Sequence, residues 1–212
     1  MKRLMLSTLP FLFFSMAQAQ SYVTIGTSNW MSSNLQVTQY RNGDPIPQVT
    51  TAQLSTLTTG AWCYYNNDPA TGPIYGKLYN WYAVKDARGL APLHWHVPSS
   101  SEWTTLANFL GGNSVAGGKL KKRGPIWNTP NNIVNPDSYF NAIPAGFCGN
   151  AVSVEQHASA NFWTSTSTTT LFAADRIMFN YTQTVSVNNQ RKTYALSVRC
   201  IADSGWPHEI GK

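Results

Sequence analysis

The chain has 212 residues and a formal net charge of +6, and its length suits one domain with a sizeable core. Charged residues make up 11% of the chain and aromatic residues 13%, so Ser, Thr, Asn, Gln and Tyr must build most of the surface. Such a surface is typical of exported proteins that bind sugars or other proteins. The one basic cluster comprises Lys119, Lys121, Lys122 and Arg123, and we interpret it as a solvated turn. The predicted export argues against nucleic acid as its partner.

Residues 1–19 have the layout of a signal peptide. Lys2 and Arg3 precede the apolar run LMLSTLPFLFF, and Ala17-Gln18-Ala19 forms a small-residue cleavage site. The apolar run is too short to span a bilayer, and no cysteine follows it to accept a lipid. We therefore predict cleavage near Ala19 and a secreted or outer-surface protein without a transmembrane segment. Residues 20–203 form the predicted domain, and residues 204–212 form a C-terminal tail.

The first half of the chain predicts short strands followed by two helices. Residues 22–35 alternate apolar and polar side chains and break at Gly26, which indicates two strands joined by a turn. The aromatic run at residues 62–65 is strand-like, and residues 77–84 have the apolar spacing of a short helix. Ser99 and Glu102 form a capping box before an apolar stripe that ends at Gly111-Gly112, which predicts a helix over residues 100–110.

The second half is β in character. Residues 111–136 contain many Gly, Pro and Asn, so we predict an ordered loop there. Five short runs predict strands, at residues 140–147, 162–165, 173–180, 184–187 and 194–201. The fold class predicted from these elements is α+β, with two short helices and a twisted antiparallel β-meander carrying long ordered loops.

Seven motifs follow one another along the chain: SNWMSSNL, YGKLYNWYAV, WHVPSSSEWTTL, AGGKLK, NAIPAGF, FWTSTS and LSVRC. In this order they resemble the Fibrobacter succinogenes major paralogous domain. The resemblance runs from about Tyr22 to Asp203, and members of that family are exported or cell-surface bacterial proteins whose biochemical role is largely undefined. The motif skeleton is also similar to C-type-lectin-like folds, which include formylglycine-generating enzymes and variable ligand-binding proteins of diversity-generating retroelements. That likeness implies a rigid scaffold whose loops present a binding surface.

The three cysteines allow one internal disulfide and one free thiol in an oxidising compartment, and their spacing leaves the pair open. The resemblance implies a pair. Some relatives have C-P-x-G-W-H where this chain has residues 91–96 as APLHWH, and relatives with Ala at that site tend to keep W-C-Y-Y. The family pattern therefore implies a Cys63–Cys200 disulfide, with Cys148 free.

Metal binding has weak support in the sequence. His94 and His96 are spaced to project from one side of a strand, as zinc ligands do, but His157 and His208 lie in no ligand spacing with them. We predict a structural hydrogen bond for His96 in the W-H-V-P turn. Residues 66–68, Asn-Asn-Asp, are rich in oxygen and suit either calcium or a plain Asx turn, and we expect the turn. No metal or cofactor is therefore predicted.

Catalysis has no sequence support either. G-x-S-x-G is absent, no pair of carboxylates stands out as acid and base, and Cys200 lacks the second nearby cysteine that formylglycine-generating enzymes need. We predict a non-enzymatic module that binds glycan or protein at the cell surface. The alternatives are a structural subunit of a surface appendage or matrix, which would self-assemble, and an enzyme of the formylglycine-generating kind.

The late stretch from Thr164 to Lys192 corresponds to the region that variable relatives use for recognition. If one face binds a ligand, the predicted residues are Phe172, Arg176, Asn180, Tyr181, Asn188, Asn189 and Arg191, with Trp127 beneath it. An ordinary solvated β-meander is the alternative for any one of them. Five other tryptophans in the family motifs are predicted packing anchors: Trp30, Trp81, Trp95, Trp103 and Trp163.

Overall fold

In the computed structural model, residues 21–132 and 138–205 form three mainly antiparallel β-sheets and five short α-helices. This arrangement confirms the predicted α+β class. The predicted signal peptide and all of the tail beyond Gly205 lie outside the described residues.

The strands are short. In chain order they are β1 (Tyr22–Ile25), β2 (Ser28–Met31), β3 (Trp62–Cys63), β4 (Leu78–Asn80), β5 (Trp95–His96), β6 (Phe147–Gly149), β7 (Val152–Val154), β8 (Ser159–Ser167), β9 (Phe172–Phe179), β10 (Ser186–Arg191), β11 (Ala195–Leu196) and β12 (Ile201–Ala202). The helices are α1 (Thr51–Leu54), α2 (Gly72–Tyr75), α3 (Trp81–Val84), α4 (Ser100–Phe109) and α5 (Asn113–Leu120). Two 3₁₀ turns, Tyr65–Asn67 and Pro69–Thr71, precede α2.

The three sheets interleave distant parts of the chain. The four-stranded sheet has the order β1-β2-β12-β5, the five-stranded sheet β3-β4-β11-β6-β7, and the three-stranded sheet β10-β9-β8. The first two strands form the predicted hairpin, and Gly26 adopts a positive φ of 65° in its turn. Since β12 pairs with both β2 and β5, the two ends of the described chain meet in one sheet.

Buried side chains form three hydrophobic clusters between these sheets and helices. The five tryptophans predicted as packing anchors are all buried, which confirms that prediction. Trp103 packs its ring against those of Trp30, Phe140 and Phe162, with centroids 5.2 to 5.5 Å away. Aromatic contacts of this kind tie α4 to β2 and β8.

Helix α4 follows its sequence signals closely. The Ser99 hydroxyl accepts a hydrogen bond from the Glu102 amide, and the Glu102 carboxylate accepts one from the Ser99 amide, which completes the predicted capping box. The helix ends at Phe109, one residue before the predicted end.

The predicted helix over residues 77–84 is half wrong. Leu78–Asn80 forms the strand β4, which pairs with β3 and β11, and the helix α3 starts only at Trp81. The Asn80 side chain caps that helix by accepting a hydrogen bond from the Ala83 amide. Cross-strand pairing on both sides outweighs the helical spacing of the apolar residues.

The loop predicted for residues 111–136 contains the helix α5 instead. The glycines in this segment indicated a loop, but in the structure they allow the helix to pack closely against a neighbouring segment. A Cβ atom at Gly117 would lie 2.4 Å from the Thr184 carbonyl oxygen, so this turn of helix can approach the chain before β10 only as glycine.

Two predicted strands are also placed differently. The run 140–147 contributes only Phe147 to a strand, and the run 194–201 splits into β11 and β12, which belong to different sheets. The split allows Val198 and Cys200 to pack in one hydrophobic cluster while Ile201 packs in another.

The predicted Cys63–Cys200 disulfide is wrong. All three cysteines are free thiols, and Cys200 lies in a different hydrophobic cluster from Cys63. The neighbour of Cys63 is Cys148, whose Sγ atom lies 3.5 Å away, although Cys148 was expected to stand alone. The motif W-C-Y-Y therefore does not place its cysteine beside the V-R-C cysteine.

Arg199, in the segment between β11 and β12, is fully buried. Its guanidinium donates hydrogen bonds to the carbonyl oxygens of Met31 and Phe140 and to the Asn34 side chain. Its centre also lies 4.4 Å from the Phe140 ring centroid. Burial lowers the pKa of Arg199 to about 9, yet none of the ion pairs found within residues 21–132 and 138–205 includes it. Neutral oxygens and ring faces hold this cation.

We expect Gly117→Ala to lower the free energy of unfolding by about 1–3 kcal/mol, because the added methyl group meets backbone that cannot move away cheaply. Gly118→Ala is the matched control in the same helix, since its Cβ would lie 3.3 Å from both the Asn132 carbonyl oxygen and the Gln183 side chain, a distance that a shift of a few tenths of an ångström relieves. Its effect should stay within about 1 kcal/mol, helped by the better helix propensity of Ala. Urea unfolding measures both, and equal effects would contradict the packing explanation.

Arg199→Lys should lower the free energy of unfolding by about 3 kcal/mol, because an ammonium group cannot reproduce the forked donors and leaves a buried oxygen without a partner. Arg191→Lys, the same change at an exposed strand position, should have an effect within about 0.5 kcal/mol. Thermal and urea unfolding of both variants check this. A stable Arg199→Lys protein would show that the guanidinium geometry is dispensable.

Candidate functional site

A cleft of about 610 Å³ lies between the β1–β2 hairpin, α4 and the chain leaving β12. Its volume falls within the range of small-molecule binding sites, roughly 300–1,000 Å³. Buried apolar side chains form its floor, namely Ile25, Trp30, Leu106 and Ile201. Hydroxyl groups stand around it, those of Thr27, Ser28, Thr105 and Ser204. The cleft therefore combines an apolar base with a polar rim.

Helix α4 divides its side chains between the core and the cleft. Trp103, Leu106 and Leu110, spaced three and four residues apart, are buried against the sheets. One position earlier at each step, Glu102, Thr105 and Phe109 line the cleft. Phe109 is one of the apolar residues of the stripe that predicted α4, but it does not belong to the core, since its side chain is 65% exposed.

Phe109 forms one wall of the cleft. Its ring lies against the hairpin turn, so closely that a Cβ atom at Gly26 would sit 3.2 Å from the ring. Gly26 thus serves two purposes, since its positive φ makes the turn and its missing side chain leaves room for the ring. The exposed ring is held in place on one side and is free to contact a ligand on the other.

His96 forms the charged part of the cleft. Its Nδ1 lies 2.7 Å from an Asp203 carboxylate oxygen, and its Nε2 lies 2.8 Å from a Glu102 carboxylate oxygen. A ring with both nitrogens facing carboxylates donates two hydrogen bonds when it is protonated. Burial opposes that charge, but the hydrogen bonds to Glu102 and Asp203 prevail and raise the pKa of His96.

Glu102 is shared between two tasks. One carboxylate oxygen contacts His96, and the other accepts hydrogen bonds from the amide and hydroxyl of Ser99 in the capping box. Burial raises the pKa of Glu102, but the bonds from Ser99 and His96 outweigh burial and lower it. The cap of α4 and the charged cluster of the cleft therefore depend on the same side chain.

The eight residues predicted to bind a ligand do not form one surface. Phe172 and Arg191 pair across strands at one end of β9, whereas Asn180 and Tyr181 follow its other end. Eight extended residues separate these ends by roughly 25 Å. Asn189 and Arg191 are exposed on the edge strand β10, Phe172 and Asn188 are partly buried, and Tyr181 is exposed and stacked on Phe179.

Three of the eight lie inside the protein, which corrects the expectation that they face solvent. Arg176 is buried and donates to the Ser100 carbonyl and the Thr104 hydroxyl, so it ties β9 to α4. The Asn180 side chain donates to two carbonyl oxygens, those of residues 128 and 130. Trp127 is buried beneath the Lys121 ammonium, 5.0 Å from its ring centroid. The polarity of Arg176 and Asn180 indicated exposed positions, but both side chains donate hydrogen bonds to backbone carbonyl oxygens inside the protein.

Asp175 carries the largest pKa shift among the carboxyl groups of the described chain. Burial raises its pKa to about 7, while its own backbone and the neighbouring Arg176 oppose the shift. Its side chain is fully buried in β9, across from Trp163 and Asn188. It is not among the residues that line the cleft, so it contributes to the interior of the sheet rather than to this site.

The two candidate metal motifs have structural partners. Both ring nitrogens of His96 contact carboxylates, and the Asn67 and Asp68 side chains accept hydrogen bonds from backbone amides at the starts of helical turns. Over residues 21–132 and 138–205, no group of three or more His, Cys, Asp or Glu side chains is arranged to hold a metal ion.

Comparison with known families gives one match. The family described as Fibrobacter succinogenes major domain (Fib_succ_major) matches residues 23–202. The chain belongs to this family. The match confirms the resemblance carried by the seven motifs, and it includes all of α4, His96 and the hairpin from Val23 onward. Comparisons with curated proteins and with solved structures found no match. None of the helices in the described part of the chain is long and apolar enough to cross a membrane.

His96→Gln should lower the free energy of unfolding, and the loss should be greatest in mildly acidic solution. The pKa of His96 is raised in the folded protein above its unfolded value of 6.5. The charged ring therefore contributes its full stabilisation of the fold below pH 6.5 and loses it as the pH rises through the folded-state pKa. Glu102, whose pKa is lowered, contributes above its unfolded value, 4.5, and loses its contribution as pH falls through the folded value. The stability difference between the two proteins should therefore be largest between these two unfolded values and shrink on both sides.

Urea unfolding from about pH 4 to pH 9 measures this difference. Thr105→Val is the control, since it changes an uncharged side chain of the same cleft and should differ from the unaltered protein by an amount independent of pH. A constant difference for His96→Gln across the range would show that the ring is not charged in the folded protein.

Proposed function

We propose that this family member is an exported, non-catalytic recognition domain that binds a carbohydrate in the cleft beside α4. The observation that carries the proposal is the pairing of the exposed Phe109 ring with a rim of hydroxyl and charged groups above an apolar floor. A flat ring matches the apolar face of a sugar, and hydroxyl, imidazolium and carboxylate groups match its hydroxyls. Export is supported by the sequence pattern of residues 1–19.

A binding role fits the His96 cluster better than catalysis does. A general base needs a ring nitrogen with a free lone pair near its substrate. Both nitrogens of His96 face carboxylate oxygens, and Glu102 uses one oxygen for His96 and the other for Ser99. These groups hold one another in place, so they suit orientation of a ligand more than transfer of its protons.

The likeness to C-type-lectin-like folds belongs to the same proposal. It is supported by the motif skeleton and by the α+β arrangement, in which β12, near the C-terminus, pairs between β2 and β5. In this proposal the ligand lies at the β1–β2 hairpin and α4. The exposed residues predicted at the C-terminal strands, Tyr181, Asn189 and Arg191 among them, form the competing location.

One observation favours a second function, assembly into a surface structure. Within the described chain, β10 pairs with β9 alone, and it exposes Val187 on the edge of its sheet. An exposed strand edge can pair with another copy of the chain. Concentration-dependent association in sedimentation experiments, lost in Val187→Lys, would support this alternative, whereas a monomer at high concentration would contradict it.

The full chain applied to a glycan array should bind a carbohydrate, and Phe109→Ala should weaken that binding about tenfold or more, since loss of 1.4 kcal/mol of stacking has that effect. Tyr181→Ala is the matched control: it also removes an exposed aromatic ring, from the competing location. Titration calorimetry with the best array ligand measures both affinities.

The opposite pattern, with binding lost in Tyr181→Ala and kept in Phe109→Ala, would move the site to the C-terminal strands. A blank array for the intact, folded chain would reject the carbohydrate. Conversion of the bound sugar into a new product, detected by mass spectrometry, would contradict the non-catalytic role.

A further inference from the structure

Cys63 and Cys148 meet although their strands are not neighbours. In the five-stranded sheet, β4 and β11 stand between β3, which carries Cys63, and β6, which carries Cys148. Three strand spacings would separate them by roughly 14 Å in a flat sheet. Their Sγ atoms are 3.5 Å apart, so the sheet curls until its strands close around the two thiols.

The thiol pair lies in an apolar setting. Both side chains are buried within the third hydrophobic cluster, which also contains Leu54, Leu78 and Ile143. Within the described part of the chain, the polar group that contacts the pair is the Ser153 hydroxyl on β7, 3.1 Å from the Cys148 sulfur. Cys200, in another cluster, does not compete for either thiol.

We propose that Cys63 and Cys148 form an intramolecular disulfide when the chain folds under oxidising conditions. An S–S bond is about 2 Å long, so the two sulfurs must approach by about 1.5 Å, a movement that small side-chain rotations and slight tightening of the curled sheet supply. The oxidant is a disulfide donor, either a low-molecular-weight disulfide or the active disulfide of a thiol oxidoreductase. The inference is independent of what the cleft binds.

Thiol–disulfide exchange gives the order of events. A hydrogen bond from Cys63 lowers the pKa of Cys148 against the effect of burial, with help from Ser153, so Cys148 ionises first. Its thiolate attacks the donor disulfide, forms a mixed disulfide and releases one donor thiolate. Cys63 then loses its proton and attacks the Cys148 sulfur, which releases the second donor thiolate. Two protein thiols become one disulfide, and the donor disulfide becomes two thiols.

Cys148 lies next to the edge strand β7 in the sheet order, and this position gives the donor a route to the pair. Local opening of an edge strand needs less free energy than global unfolding. Once formed, the disulfide joins residues 85 positions apart in the sequence. A loop of that length restricts the unfolded chain strongly, so the disulfide should stabilise the fold.

The experiment refolds the full chain in a buffer of oxidised and reduced glutathione, blocks free thiols with iodoacetamide under denaturing conditions, and maps the peptides by mass spectrometry. We expect a Cys63–Cys148 linked peptide and an alkylated Cys200. Three alkylated cysteines, or a linked peptide that contains Cys200, would overturn the proposal.

Variants make the test specific. In Cys200→Ala the melting temperature should still rise by several degrees when dithiothreitol is replaced by oxidised glutathione. In Cys63→Ala and in Cys148→Ala that rise should disappear, with each variant compared only with itself under the two conditions. A rise that persists in either variant would also overturn the proposal, and the peptide map of the unaltered chain decides the matter if a variant fails to fold.

Discussion

The arrangement of this domain depends on one buried cation. Arg199 lies at full burial without a carboxylate partner in the described chain, and a charge in that position is costly unless every donor finds an acceptor. Oxygens from the end of β2, from Asn34 and from Phe140 accept hydrogen bonds from its two terminal NH2 groups, so three separate segments meet at one point, while its Nε atom has no hydrogen-bond partner among the described residues. The strand that follows, β12, is thereby set between β2 and β5. That strand supplies the floor of the cleft at Ile201 and leads directly to Asp203.

Sequence signals predicted the structure best where the conformation depends only on residues close in sequence. The turn at Gly26 and the capping box of Ser99 and Glu102 depend on neighbours within a few residues, and both are present as expected. The α+β class followed from the same signals. The helix α5 was missed because Gly117 reflects contact with Thr184, far away in sequence. Leu78–Asn80 became a strand for a similar reason, since two partner strands decided its conformation. Distant contacts leave no local pattern to read.

The candidate site was harder to predict than the fold. His96 and Glu102 were both noticed, but for separate structural tasks, and nothing in the sequence places Asp203 beside them. The signal for the cleft was present in α4, where Glu102, Thr105 and Phe109 follow one another at helical spacing just beside the core stripe. Polar composition pointed to the C-terminal strands instead. There, Arg176 and Asn180 turn out to serve backbone oxygens, because composition cannot distinguish an outward amide from an inward one.

The separation of the two stripes on α4 bears on how such a domain diversifies. Thr105 and Phe109 are exposed, so mutation can alter the shape and chemistry of the cleft wall there while Trp103, Leu106 and Leu110 keep the helix in place. Substitutions at these two helix positions can therefore change the ligand specificity without changing the packing of the domain interior. Position 102 lacks this freedom, since its carboxylate both starts the helix and holds the imidazole. We therefore expect substitutions that change the ligand to occur at the cleft-facing positions of α4 beyond its first turn, and position 102 in that turn to stay unchanged.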